Sequence, residues 1–275
     1  MKKLFYTIWI CMYPLIIYTT ISLGVCLFIG ISLLFYMRWI GESIDIIKII
    51  DIISQNGLII TAISAAISVI PLTVFYYLDT EKVRADYIKN TKLSDYIMAV
   101  LGGAGIAIIL NIIISISGIS SLDLEFEKVS QSLSLPPLFV SLICAGIIVP
   151  IVEELIFRGL LFNRIRNQYN ARSAMIISSL IFGIYHMNWT QGVYAAILGC
   201  CMAYVYNKVR SLLVPMLIHM SANTVVLIVG EFSANIEYSS LDMSTLTVIA
   251  ISMFVLPFML AIAGILYFKM RKVNL

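Results

Sequence analysis

From Leu4 to Met37 the chain runs without a single charged residue. That is far longer than the roughly 7–15-residue apolar core of a cleavable signal peptide, and a helix needs only about 20 mostly apolar residues to cross a bilayer. The stretch reads as a retained transmembrane helix. Further apolar stretches follow between polar breaks, placing spans at 14–37, 57–78, 97–119, 138–157, 173–188, 192–207, 212–230 and 245–268. The fifth and sixth are short and only Asn188 to Gln191 separate them, so a tight hairpin that does not fully cross is the alternative there. Hydrophobic residues make up 61% of the chain and charged residues 12%, against about 45–50% and about a quarter in soluble domains. A soluble globule, a disordered chain and a disulfide scaffold are excluded. The net charge of +3 is too small and too scattered for nucleic acid. The expected fold class is all-α, a polytopic membrane protein of about eight transmembrane helices with the lipid bilayer as its solvent.

Cytoplasmic loops collect Lys and Arg. With the N-terminus inside, the outer loops hold only Arg38, Lys48 and Lys128, and all the other basic residues fall on inner segments. Both termini are therefore expected in the cytoplasm. Between the first two spans, Glu42, Asp45, Lys48 and Asp51 recur every three residues among isoleucines, the pattern of a helix lying in the interface plane. The five cysteines, Cys11, Cys26, Cys144, Cys200 and Cys201, lie in apolar spans without CxxC spacing and read as small buried hydrophobes. Asn188-Trp189-Thr190 fits a glycosylation sequon, but in a loop too close to the membrane to use it. The chain divides into an N-terminal transmembrane region at 1–130, a core at 131–230 and a C-terminal span with a basic tail at 231–275.

Charged groups in hydrocarbon cost at least about 2.5–3.5 kcal/mol each on insertion scales, so their positions carry information. In the fourth span, Glu154 and Arg158 stand four apart with the acid first, the favourable order for a helical ion pair. Glu153 points about 100° away round the helix and has no partner in its own segment. A desolvated, unpaired carboxylate suits a general base; the plainer reading is that both glutamates mark the end of the span. The two histidines, His186 and His219, also fall in apolar stretches. Each alone reads as a packing residue, yet both join the glutamates in the same half of the chain. His219 and Asn223 share a helix face and would present two donors to one oxygen. Counted along the helices, Glu154 and His186 reach similar depths, whereas His219 meets them only if Val209 to Pro215 dips into the membrane or the helices tilt.

Glu153-Glu154-x-x-x-Arg158, Phe182-x-x-x-His186 and His219-x-x-x-Asn223, in that order, resemble the type II CAAX prenyl endopeptidases and their bacterial relatives, the CPBP (CAAX protease and bacteriocin-processing) or Abi intramembrane proteases. The resemblance covers roughly 138–230, and the first three spans match nothing nameable. It implies peptide-bond hydrolysis in a cavity reached from the cytoplasmic side, on a membrane-embedded peptide or protein. Glu153 with His186 would activate water, His219 and Asn223 would hold the oxyanion, and Glu154 with Arg158 would hold the site together. The family has also been described as zinc metalloproteases; without an HExxH, metal-independent water activation is slightly preferred, with the cofactor left open. Peptide maturation or bacteriocin self-immunity in a bacterial plasma membrane is the implied setting. A proton-coupled transporter and a non-catalytic immunity or binding protein are the alternatives.

Overall fold

The computed structural model describes residues 2–79, 91–234 and 243–270. Of the basic residues expected inside, Lys82, Arg84, Lys89, Arg271 and Lys272 lie outside the described residues, as do the side chains of Lys2 and Lys3. Among the described residues there is no strand. The helices are α1 (Lys2–Trp39), α2 (Ile46–Gln55), α3 (Gly57–Leu78), α4 (Leu93–Ser117), α5 (Leu124–Ser134), α6 (Leu138–Gln168), α7 (Ala171–Tyr185), α8 (Trp189–Val209), α9 (Leu213–Ala234) and α10 (Met243–Met270).

Six of these, α1, α3, α4, α6, α9 and α10, are long and apolar enough to cross a bilayer. The protein is an integral, multi-pass, all-α membrane protein. The count is two short of the eight stretches marked in the sequence, and the difference lies in α7 and α8. Helix α7 has 15 residues, about 22 Å at 1.5 Å per residue, which is short of a hydrocarbon core about 30 Å thick. Helix α8 has 21 residues but includes Thr190, Gln191, Asn207 and Lys208. The two pack antiparallel, turning through His186 to Asn188, with Gly183 against Gly192 and Gly199 against Ser179.

Helix α6 is the central post. Every residue from Val152 to Ile165 is buried, enclosed by α1, α3, α7, α8 and α9. On the far side, α4 lies between α9 and α10. Gly103 allows the close approach of α9, since a Cβ there would meet the Ile218 carbonyl oxygen at 2.6 Å. Small residues are how membrane helices pack without a hydrophobic drive between them, and this contact sets the position of His219, the next residue along α9.

Polar contacts tie the ends. Arg164 donates from Nε to Asp79 Oδ2 at 3.1 Å and from Nη1 to the Ile10 carbonyl at 2.6 Å, bonds the Tyr13 phenol, and stacks 4.7 Å over its ring. This clasp joins α1, the end of α3 and α6. Asp123 accepts from the Phe126 amide at 3.1 Å as the α5 N-cap and from the Thr190 amide at 2.8 Å, pinning the start of α5 to the start of α8. Those amides, that of Thr190 first, hold its carboxyl below the usual range. Helix α2 forms where the charge period implied one, N-capped by Asp45, with Ile46, Ile47 and Ile50 exposed and Ile49 buried.

Candidate active site

Pro150 interrupts α6 four residues ahead of Glu154. A proline has no N–H and collides with the turn before it, and the helix widens to π geometry over Cys144–Ile148. The Val149 amide bonds back to the Cys144 carbonyl, so it is spent, and Pro150 has no amide to offer. The Ala145 carbonyl is thus left without a helical donor, and the Asn223 side chain fills the vacancy from α9, Nδ2 to O at 2.9 Å. A second π stretch, Leu155–Phe162, begins directly after Glu154. Such widenings cluster at functional sites, and here they bracket the segment that carries both glutamates.

Glu154 and Arg158 are both fully buried, and Arg158 Nη1 donates to Glu154 Oε1 at 2.8 Å. The other arm, Nη2, donates to the Gly199 carbonyl on α8 at 3.0 Å. Gly199 is needed for that approach, because a Cβ there would meet Nη2 at 3.1 Å and Phe182 at 3.2 Å. His219 Nδ1 lies 2.9 Å from the same Glu154 oxygen, and its Nε2 lies 3.6 Å from Glu153 Oε2. A carboxylate on Nδ1 fixes a histidine's orientation and tautomer, so Glu154 holds His219 with Nε2 aimed at Glu153. Among the described residues, Glu154 Oε2 and Arg158 Nε have no hydrogen-bond partner. Glu153 keeps 11% of its side chain open, while Glu154 has none.

His219 reaches this level because the α8–α9 turn is itself buried. Val209, Ser211, Leu212 and Val214 are all shielded completely, and Arg210 makes the turn in the left-handed region at φ 61°.

The structure thus brings Glu153, Glu154, Arg158 and His219 into one cluster. His186 joins it through a ring, and its Nδ1 faces the Phe182 carbonyl of its own helix at 2.8 Å. Phe182 stands between the parts, edge-on to His186 at 4.9 Å and to His219 at 5.6 Å, with Arg158 4.8 Å over its face. Asn223 shares the α9 face with His219 and spends one Nδ2 hydrogen on the Ala145 carbonyl. For zinc, the donors named from the sequence do not assemble. Among the described residues no three His, Cys, Asp or Glu side chains are placed to share a metal ion.

Phe182 was visible in its motif but not as a contact. Gly199 carried no signal, because its partner is 41 residues away. Tyr18 and Tyr185, whose ring centroids lie 6.2 Å apart, could not be told from other span tyrosines.

Against known proteins, residues 135–225 match the family of type II CAAX prenyl endopeptidases, Rce1-like. YdiL of Bacillus subtilis, provisionally named a membrane peptidase, is 34% identical over 87 residues, which are 32% of this chain and 36% of that protein. YxdF of Lactococcus lactis is 36% identical over 80 residues, 28% of this chain and 43% of its own length. An uncharacterized 24.3 kDa protein of Escherichia coli is 29% identical over 108 residues, 38% of this chain and 50% of that one. The chain thus spans between 36% and 50% of the curated relatives it matches. No solved structure matches it.

Proposed function

We propose, on the premise that residues 135–225 belong to the Rce1-like family of type II CAAX prenyl endopeptidases, that the protein is an intramembrane endopeptidase acting on a membrane-associated peptide or protein. The observation that carries this is the division of labour between two adjacent acids. Glu154 is fully buried and committed to Arg158 and His219, and Glu153 is partly open and faces His219 Nε2.

In the proposed reaction Glu153 takes a proton from water as the water oxygen attacks the scissile carbonyl carbon. His219, oriented by the contact of its Nδ1 with Glu154, donates from Nε2 to the oxyanion. Collapse breaks the C–N bond, and Glu153 returns its proton to the leaving amine. His186, with Nδ1 held by its own helix, presents Nε2 to the water, and the second Nδ2 hydrogen of Asn223 is left for the oxyanion. No step uses a metal. Peptide maturation or bacteriocin self-immunity at a bacterial plasma membrane is the setting we propose.

The test is cleavage of a quenched membrane-peptide library by detergent-purified protein. Glu153→Gln should lower turnover by at least about a hundredfold at an unchanged melting temperature, and His186→Ala should also lower it. Cleavage that survives a zinc chelator supports metal-free activation. Full activity of Glu153→Gln, or no cleavage by folded wild type, would overturn the assignment.

A further inference from the structure

A groove of about 470 Å³ runs between α1 and the α6–α7 corner, lined on α7 by Ser173, Ile177 and Ile181 and on α1 by Ile8, Cys11 and Met12. The α7 residues lie four apart, so they form one helical ridge, and the next member of that ridge is Tyr185. On α1 the same face continues through Leu15 to Tyr18. The two tyrosines meet at the head of the groove with ring centroids 6.2 Å apart. Tyr18 is 5% exposed, and Tyr185 also packs edge-on against Phe157 at 5.8 Å, one helical turn from Glu153. The pair therefore stands between an apolar channel open to the surface and the one carboxylate of the cluster that is not sealed.

We infer that Tyr18 and Tyr185 are substrate-positioning residues, and that a polypeptide lying in the α1–α7 groove presents its scissile bond to Glu153 past their phenols. The inference rests on the peptidase reading and adds α1, which lies outside the family match, to the active site. The occupant follows from continuity: an apolar stretch fits the groove, and the peptide bond next to it meets two hydroxyls at the entrance to Glu153.

Tyr18→Phe and Tyr185→Phe keep the rings and remove the hydroxyls. Loss of one substrate hydrogen bond should raise KM by about three- to tenfold, with kcat within about twofold and the melting temperature unchanged. A purely structural role would instead lower the melting temperature and leave KM alone. In parallel, p-benzoylphenylalanine at position 18 in the Glu153→Gln background should photo-cross-link a peptide of the same library. Unchanged KM in both variants together with no cross-link would overturn the proposal. Should wild type cleave nothing, the peptidase reading fails by itself, and the cross-link then decides whether this wall binds peptide.

Discussion

Arg158 is the largest fully buried side chain among the described residues, and one carboxylate, one carbonyl and one aromatic face answer its charge. Breaking a buried ion pair costs about 3–5 kcal/mol because the surviving charge is stranded. Arg158→Ala should therefore reduce both the folded yield and the melting temperature in detergent, beyond any loss of activity; normal accumulation with wild-type melting would contradict it. The pair could be read from the sequence because its members are four apart in one helix. Its third partner could not, since a glycine on another helix leaves no trace in composition or period. The partner of His219 was missed for a similar reason: Glu154 and His219 are 65 residues apart, and only packing decides which glutamate Nδ1 meets.

At the level of the element, the distortion of α6 organises the site. Pro150 removes an amide, the helix widens, and Asn223 supplies the missing donor to Ala145. Asn223→Ala leaves a carbonyl bare and should destabilise the protein by about 1–3 kcal/mol, read as a lower melting temperature in the absence of any substrate. An unaltered melting temperature would mean the bond contributes nothing to the fold. Reading His219 and Asn223 as one donor pair was sound for an ideal α9, where i and i+4 share a face. The bond from Asn223 to Ala145 was not legible beside it, because that acceptor arises from a proline on α6, 73 residues earlier in the numbering.

For the whole molecule, the apolar stretches made the helices legible but not their number of crossings. The excess of basic residues on one set of loops cannot separate eight spans from six, because the α7–α8 hairpin returns the chain to the same side whether or not it crosses. Single cysteines placed at Lys48 and at Asn170, with the five native cysteines replaced, should react with an impermeant maleimide from opposite faces of the membrane. Labelling from one face would overturn the proposed orientation. The Arg164 clasp also has a bearing on biogenesis. Arg164 is synthesised 85 residues after Asp79 and 154 after Ile10, so α1 and α3 enter the membrane long before the cation that joins them is made. Until α6 leaves the ribosome, Asp79 and the Ile10 carbonyl wait without it, and the N-terminal helices form a provisional assembly. A nascent chain halted before Arg164 is then expected to be cleared by cellular proteases faster than one halted just after α6, a difference that pulse-chase labelling of stalled chains would measure.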